Sequence, residues 1–262
     1  MKQIRATVLI VGCGRMGAAF AQAWRDNYNV LVYDPAGIVP DGCENMTNLD
    51  RVPAEAVVLL AVKPQGLAEV ARHLQAVLAP NATVVSIAAG ITLDGLASLM
   101  GATRPIVRAM PNTAIAIRMG ITAAIASPTV TAGGRAMIDE LFARTGSLVW
   151  LNDEAQIDLV TAISGSGPAY FYRFAEALAA AGVARGLPSG LASELAAATL
   201  RGAGGLAAAG ADLASLRHSV TSPGGTTAAA LTALNDGGIE ALADEAVAAA
   251  AGRAAELASI LA

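Results

Sequence analysis

Apolar residues follow two different patterns along the chain, and the change falls near residue 152. Before it, apolar runs of strand length, at 29–34, 56–62, 82–90, 104–110 and 120–127, alternate with more polar stretches, of which 65–78 has helical periodicity. From Asp153 onward these runs stop, and alanine-rich helical stretches broken by glycine-rich turns continue to the end. The pattern predicts the α/β class, with a Rossmann-type, doubly wound, mostly parallel sheet in a dinucleotide-binding domain over 1–152. An all-α domain follows over 153–262.

Residues 6–24 show a strand, a glycine turn and the start of a helix in direct succession. Gly12, Gly14 and Gly17 form G-x-G-x-x-G in this setting. The first glycine allows the tight turn, the second lets the backbone approach a pyrophosphate, and the third lets the helix pack on the strand. A purely structural turn is the alternative interpretation. The run 29–34 then ends in Asp34, about 20 residues after the first glycine, where a ribose-binding carboxylate belongs, and this favours dinucleotide binding.

Further segments end in loops that would open at the carboxyl edge of the sheet, where ligands bind in such folds. They are the AVKP, AAG and MPNT segments. Lys63, in the first, is either a solvated residue at a strand end or a cofactor contact. Asn112, in the last, is a turn residue and could also donate to a nicotinamide carboxamide.

Composition and charge exclude several classes of function. The net charge is −4 and no basic stripe is present, which argues against a nucleic-acid partner. No run has the length and character of a membrane span. Two histidines lie far apart without metal-ligand spacing, so no metal site is predicted. Two cysteines, Cys13 and Cys43, do not make a disulfide framework and suggest reduced thiols in the cytoplasm.

The helical half predicts an oligomer on physical grounds. Hydrophobic residues make up 55% of the chain but aromatic residues only 4%, the excess being largely alanine. Alanine-rich helices bury little apolar surface each, so the domain over 153–262 would have a thin core if left alone. Packing against a second copy would supply the missing surface, and we therefore expect a homodimer or a larger homo-oligomer built from dimers.

Three sequence segments point to a particular family: VRAMPNTA at 107–114, ISGSGPAYFY at 163–172 and VTSPGGTTAAAL at 220–231. Together with AVKP they resemble the pyrroline-5-carboxylate reductase family, in order and over essentially the whole chain. The resemblance implies an NAD(P)H-dependent oxidoreductase that transfers hydride to a small cyclic imine to give L-proline. It also implies a site shared between the sheet of one subunit and the C-terminal helices of its partner.

The resemblance assigns the site residues. For the cofactor the resemblance implies the glycine loop, the AVKP turn, the AAG segment and Asn48. The reasoning from the residues adds Asp34 and Asn112. The predicted cofactor residues are therefore Gly12, Cys13, Gly14, Arg15, Met16, Gly17, Asp34, Asn48, Ala61, Val62, Lys63, Pro64, Ala88, Ala89 and Asn112. For the substrate it implies Ser222, Gly224, Gly225, Thr226 and Thr227, with the Thr227 hydroxyl as the catalytic contact to the substrate nitrogen.

The segment Ser222–Thr227 holds no group that titrates near neutrality, and imine reduction does not require one. A protonated imine is already electrophilic, so the protein must chiefly position the ring. Backbone N–H groups at a helix start, with Ser222, could hold a carboxylate. The competing interpretation is ordinary capping, with a threonine as N-cap. Ser164 and Ser166 are interpreted as structural.

One feature departs from the family pattern, and three other functions compete with the one that the resemblance implies. Asp34, followed by Pro35, replaces the small polar residues and arginine that accept NADPH, so NADH preference is predicted. The alternative is that Asp34 only ends the strand and points to solvent, which would leave NADPH acceptable. A β-hydroxyacid dehydrogenase is disfavoured because no lysine follows Lys63. A reductase of another cyclic imine and a non-catalytic dinucleotide-binding regulator are the remaining alternatives.

Overall fold

An eight-stranded sheet dominates the first part of the computed structural model, which describes residues 5–37 and 39–261. Its strands are β1 (Thr7–Val11), β2 (Asn29–Tyr33), β3 (Glu44–Asn45), β4 (Val57–Leu60), β5 (Val84–Ser86), β6 (Ile106–Pro111), β7 (Gly120–Ala126) and β8 (Gly146–Trp150). Most of the strands of the first half are buried on both faces, as their continuous apolar runs predict.

Helices connect the strands and make up the rest of the described chain. Those between strands are α1 (Arg15–Trp24), α2 (Pro64–Val77), α3 (Leu93–Met100) and α4 (Ala132–Phe142). Those after β8 are α5 (Gln156–Val160), α6 (Gly167–Val183), α7 (Ser189–Ala208), α8 (Leu213–Ser219), α9 (Thr226–Asp236) and α10 (Ile239–Leu261). A 3₁₀ turn covers Thr113–Ile117 and a π-helical turn covers Thr161–Gly165.

The strand order is β3-β2-β1-β4-β5-β6-β7-β8, with β6 and β7 antiparallel and all other pairs parallel. From β1 the chain moves outward to β3, then returns to the other side of β1 and continues from β4 to β6. The direction reverses between β1 and β4, which is the arrangement of a doubly wound sheet. The predicted fold class is confirmed, including the all-α character of the C-terminal half.

Four elements and one strand direction were not predicted from the sequence. The elements are β3, β8, α3 and α4. The run 120–127 forms β7, which turns back antiparallel because only the short stretch 112–119 separates it from β6. A parallel return needs a crossover of a dozen or more residues, so a connection of this length permits only an antiparallel neighbour.

The core beneath α1 is aromatic. Phe20 and Trp24 of α1 pack with Phe142 of α4, with ring centroids between 4.8 and 5.9 Å apart, and all three side chains are buried. The indole N–H of Trp24 donates to the backbone carbonyl of Leu141 at 2.7 Å, which satisfies its polar atom inside the core. These contacts fix α1, and with it the glycine turn that precedes the helix.

Contacts divide the chain into two compact units. The sheet unit runs to Gly165 and takes in the chain again from Ala250, and the helical unit is Ser166–Ala249. Residues 153–165 belong to the sheet unit because Ile157 is fully buried in a cluster with Met110 and Ile125. The functional division at residues 152 and 153 stays a prediction.

Candidate active site

Five parallel strands direct their carboxyl ends to one edge of the sheet. The glycine turn follows β1, Asp34 follows β2, the AVKP and AAG segments follow β4 and β5, and Asn112 follows β6. The turns after β1 and β4 are in contact, since a Cβ built at Gly12 would lie 2.8 Å from the carbonyl of Ala61. This junction is the switch point of the sheet, where a dinucleotide binds in folds of this kind.

The three glycines of the turn have different surroundings. Gly12 has φ +96° and donates its N–H to the carbonyl of Tyr33 at 2.9 Å. A Cβ on Gly17 would lie 2.0 Å from the Gly12 carbonyl oxygen, whereas a Cβ on Gly14 would meet no atom within 4 Å. Gly12 and Gly17 are therefore needed for the turn and the helix packing, and Gly14 faces open space. Such a cradle fits the pyrophosphate of a dinucleotide at the start of α1.

Asp34 is held beside the glycine turn. Its Oδ2 accepts a hydrogen bond from the Cys13 N–H at 2.5 Å and its Oδ1 accepts one from the Ala36 N–H at 2.9 Å. A Cβ on Gly37 would lie 2.6 Å from the Asp34 carboxyl carbon, so a side chain at this position would displace the carboxylate. Burial raises the pKa of the Cys13 thiol and the Asp34 carboxylate raises it further, which keeps the thiol neutral near pH 7.

The AVKP turn connects β4 to α2. Ala61 donates its N–H to the carbonyl of Val11 at 2.8 Å, and Val62 lies against Gly12. Lys63 is the exposed N-cap residue of α2 and Pro64 is its first residue, where a missing N–H costs nothing. The Lys63 ammonium makes no ion pair with any described residue.

The other predicted cofactor residues differ in how their polar atoms are used. Ala88 is buried and Ala89 is exposed in the loop after β5. The side-chain oxygen of Asn112 accepts from the N–H groups of Ala114 and Ile121, so Asn112 is a turn residue. Asn48, an exposed loop residue, uses its side-chain oxygen to accept the Asp50 N–H.

The predicted substrate segment, Ser222–Thr227, lies in the helical unit and forms a tight turn that begins α9. The Gly225 N–H donates to the Ser222 carbonyl at 3.0 Å, with Pro223 and Gly224 between them and φ of Gly224 at +70°. Pro then Gly at these positions defines a type II turn. The N-cap of α9 is Gly225, without a side-chain cap, so a threonine N-cap is wrong.

The uncapped start of α9 leaves donors available. The N–H groups of Thr226, Thr227 and Ala228 have no acceptor inside the helix, as in the first turn of any helix. The hydroxyl of half-buried Thr227 makes no hydrogen bond with a described residue. Ser166 is the N-cap of α6 but makes no capping hydrogen bond, and Ser164 bonds the carbonyl of Val160.

Sequence reasoning did not identify an ion pair beneath the loop after β5. Arg108 of β6 is 4% exposed and its Nη1 donates to Glu154 Oε1 at 2.6 Å. The same oxygen accepts the N–H of Leu93, the first residue of α3, at 2.8 Å. The two residues lie 46 positions apart, so no local pattern links them. The one indication in the sequence was a charged residue, Arg108, within an apolar strand.

The C-terminal half matches the family described as pyrroline-5-carboxylate reductase dimerisation, over residues 154–257. Residues 7–90 match the family described as NADP oxidoreductase, coenzyme F420-dependent. The chain is 43% identical over 216 residues to pyrroline-5-carboxylate reductase of Pseudomonas aeruginosa, covering 82% of this chain and 79% of that protein. It is 41% identical over 212 residues to the reductase of Pisum sativum, covering 80% of this chain and 77% of that protein.

Solved structures agree with these sequence relatives. A pyrroline-5-carboxylate reductase from Coxiella burnetii superposes with a TM-score of 0.89 at 31% identity, over 97% of this chain and 99% of that one. The Plasmodium falciparum pyrroline carboxylate reductase, solved with NADP bound, gives 0.83 at 27% identity over the same shares. Among the described residues no helix is both long and apolar enough to cross a membrane.

Proposed function

The chain belongs to the pyrroline-5-carboxylate reductase family, and on this basis we propose how its residues reduce the imine of pyrroline-5-carboxylate to L-proline with NAD(P)H. It is an oxidoreductase of proline biosynthesis. The observation that carries the assignment of the site is the turn Ser222–Thr227, which presents an uncapped helix start and an unused hydroxyl. The experiment that tests the function is NADH and NADPH oxidation with pyrroline-5-carboxylate, compared with a six-membered cyclic imine.

The substrate segment would hold both polar ends of the ring. The N–H groups at the start of α9 and the Ser222 hydroxyl bind the carboxylate, aided by the helix dipole. Gly224 and Gly225 keep side chains away from the approaching ligand. The Thr227 hydroxyl bonds the ring nitrogen and fixes the orientation of the C=N bond. Positioning of this kind contributes up to roughly 7–11 kcal/mol to a reaction between two bound partners.

The turns at the carboxyl edge would hold the dinucleotide. The residues from Gly12 to Gly17 would bind the pyrophosphate. The AVKP turn and the Ala88–Ala89 segment would line the crevice, and Asn48 would be a further contact to the cofactor. Asn112 shapes the loop after β6, and its amide nitrogen is the group that would face the nicotinamide. When bound, the nicotinamide supplies the hydride. The reaction requires no strong acid from the chain, because a protonated imine is already electrophilic and has only to be oriented.

Asp34 is proposed to favour NADH over NADPH. Its carboxylate lies beside the glycine turn, where it can accept hydrogen bonds from the free ribose hydroxyls of NADH. A 2′-phosphate would bring like charges within a few ångströms, which costs about 1–4 kcal/mol near a surface. The nearest arginine downstream is Arg51, so no following residue offsets the repulsion.

We predict that Asp34→Ser lowers the ratio of kcat/KM for NADH to that for NADPH by about fivefold or more, because the repulsion is removed. Asp34→Asn is the matched control. It removes the negative charge but keeps a side-chain oxygen that can still accept the Cys13 N–H. Both ratios are measured with pyrroline-5-carboxylate as substrate. A wild type that already prefers NADPH would refute the proposal, as would a ratio left unchanged by Asp34→Ser.

The helical unit supports a homodimer as the smallest assembly. Among its described residues only Gly167, Ala192 and Ala196 are buried. Large apolar side chains are exposed, with Phe171 at 63% and Leu242 at 63%. An isolated unit with so little buried surface lacks a core of its own, whereas a symmetric partner would cover these side chains.

Sedimentation velocity at micromolar concentration is expected to give a dimer or a multiple of a dimer, with no monomer boundary. Phe171→Glu, which places a charge on the exposed apolar surface, is expected to shift the boundary toward monomer, with the exposed Arg173→Glu as a control for added negative charge. A stable and fully active wild-type monomer would contradict the shared site.

Two other functions remain as alternatives. Another cyclic imine could serve as substrate, because orientation alone would suffice for it too. A non-catalytic dinucleotide-binding regulator would bind NADH without turnover, so the oxidation assay separates it from both reductases. The cytoplasmic location stays a prediction from the cysteine content.

A further inference from the structure

The loop between β5 and α3, Ile87–Thr92, carries the predicted cofactor residues Ala88 and Ala89, and hydrogen bonds fix it at both ends. At its start, the Ile87 N–H donates to the carbonyl of Leu60 at 3.1 Å and the Ala88 N–H donates to the Ser86 hydroxyl oxygen at 3.3 Å. At its end, the Leu93 N–H donates to Glu154 Oε1 at 2.8 Å. The middle of the loop, around exposed Ala89, is thus held by anchors that are themselves buried or half-buried.

Arg108 lies beside one of these anchors and bonds to another. It is the register partner of Ser86 on the neighbouring parallel strand, so both side chains lie on the same face. Its Nη1 donates to the Glu154 oxygen that also accepts the Leu93 N–H. The Nε of Arg108 is buried with no hydrogen-bond partner among the described residues. Glu154 is therefore the main counter-group of a buried guanidinium, and the pair cannot be separated without leaving a buried charge.

We propose that Arg108 and Glu154 are positioning residues for the dinucleotide: they hold the β5–α3 loop in the conformation that receives the cofactor. The proposal rests on the proposed function, because it takes Ala88 and Ala89 as cofactor contacts. Neither side chain needs to touch the cofactor. Their role is to fix the amino end of α3, which is also the end of the loop. Residues that hold a binding group in place affect ligand affinity without touching the ligand.

The experiment compares two buried arginines near the same strand. Arg108→Met removes the guanidinium under the cofactor loop. Arg104→Met removes one that lies just before the amino end of β6, where its hydrogen bonds go to the carbonyls of Met100 and Ala79. Both substitutions lower Tm because each removes buried hydrogen bonds. Only Arg108→Met is expected to raise the Kd for NADH, by about tenfold, measured by NADH fluorescence titration without substrate.

Glu154 provides the second arm. Glu154→Ala is expected to weaken NADH binding as strongly as Arg108→Met, and Glu154→Gln to retain most of the affinity, because its amide oxygen can still accept the Leu93 N–H. Hydrogen exchange of the Leu93 amide, measured without cofactor, should accelerate in Glu154→Ala and stay near wild type in Arg104→Met. This readout keeps the test informative if a variant binds NADH too weakly to titrate.

The outcomes separate the positioning role from the function itself. Equal Kd values for NADH in wild type, Arg108→Met and Glu154→Ala would overturn the proposal, as would an equal loss in Arg104→Met. Wild type that binds NADH but does not turn over pyrroline-5-carboxylate would refute the proposed function and leave the positioning role standing. NADPH is titrated in parallel, so that cofactor preference does not obscure the comparison.

Discussion

Gly17→Ala is expected to destabilise the protein by more than about 4 kcal/mol, because the added methyl group meets backbone that cannot move aside. Its Cβ would lie 2.0 Å from the carbonyl oxygen of Gly12. Relief requires α1 to shift away from β1, and that shift would pull Phe20 and Trp24 out of their packing with Phe142. Urea denaturation, followed by circular dichroism, measures the loss.

Gly14→Ala is the matched control within the same turn. Its Cβ would meet no atom within 4 Å and its φ of −65° suits alanine, so the free energy of unfolding should fall only by the cost of a poorer N-cap residue, about 1 kcal/mol. NADH binding should nevertheless weaken strongly, because the methyl group enters the space reserved for the pyrophosphate. Equal destabilisation by the two substitutions would contradict the roles given to the two glycines.

Thr227→Ala is expected to lower kcat/KM for pyrroline-5-carboxylate by roughly 5- to 150-fold while leaving the Kd for NADH nearly unchanged. The lost hydrogen bond to the imine nitrogen corresponds to about 1–3 kcal/mol in the transition state. The hydroxyl has no partner among the described residues, so its removal should not unfold the helix start. Steady-state kinetics and NADH titration on the same preparation give both values.

Thr232→Ala is the control on the same helix. The Thr232 hydroxyl bonds the carbonyl of Ala228 one turn earlier, so its removal tests the loss of a threonine hydroxyl from α9 without touching the substrate segment. It should retain wild-type kcat/KM. A Thr227→Ala enzyme with wild-type kcat/KM would end the proposed role of the hydroxyl.

Local sequence patterns were sufficient to predict those strands and helices whose own residues carry a clear hydrophobic pattern. The apolar run, G-x-G-x-x-G and the helical pattern of 6–24 predicted β1, the turn and α1 in one piece. Continuous apolar runs likewise predicted β4 and β5, which are buried on both faces. The edge strand β8 was missed because only alternate residues of GSLVW are partly buried, which gives a weak signal. Helix α3 was missed because it is short and contains Gly95.

Strand direction and side-chain pairing depend on contacts that no local pattern encodes. The run 120–127 has the same apolar texture whether it lies parallel or antiparallel, and only the short connection before it carries the direction. The hydrogen bonds of the Asp34 carboxylate to Cys13 and Ala36 depend on how two turns meet. The Arg108–Glu154 pair joins distant segments and needed the folded chain.

The most direct measurement is the product of the wild-type reaction. Purified protein is incubated with pyrroline-5-carboxylate and NADH or NADPH, and L-proline is quantified beside cofactor oxidation. We expect one L-proline formed for each cofactor oxidised, at a rate proportional to enzyme and reduced in Thr227→Ala. Folded protein that binds the cofactor yet forms no L-proline with either NADH or NADPH would contradict assignment as a pyrroline-5-carboxylate reductase.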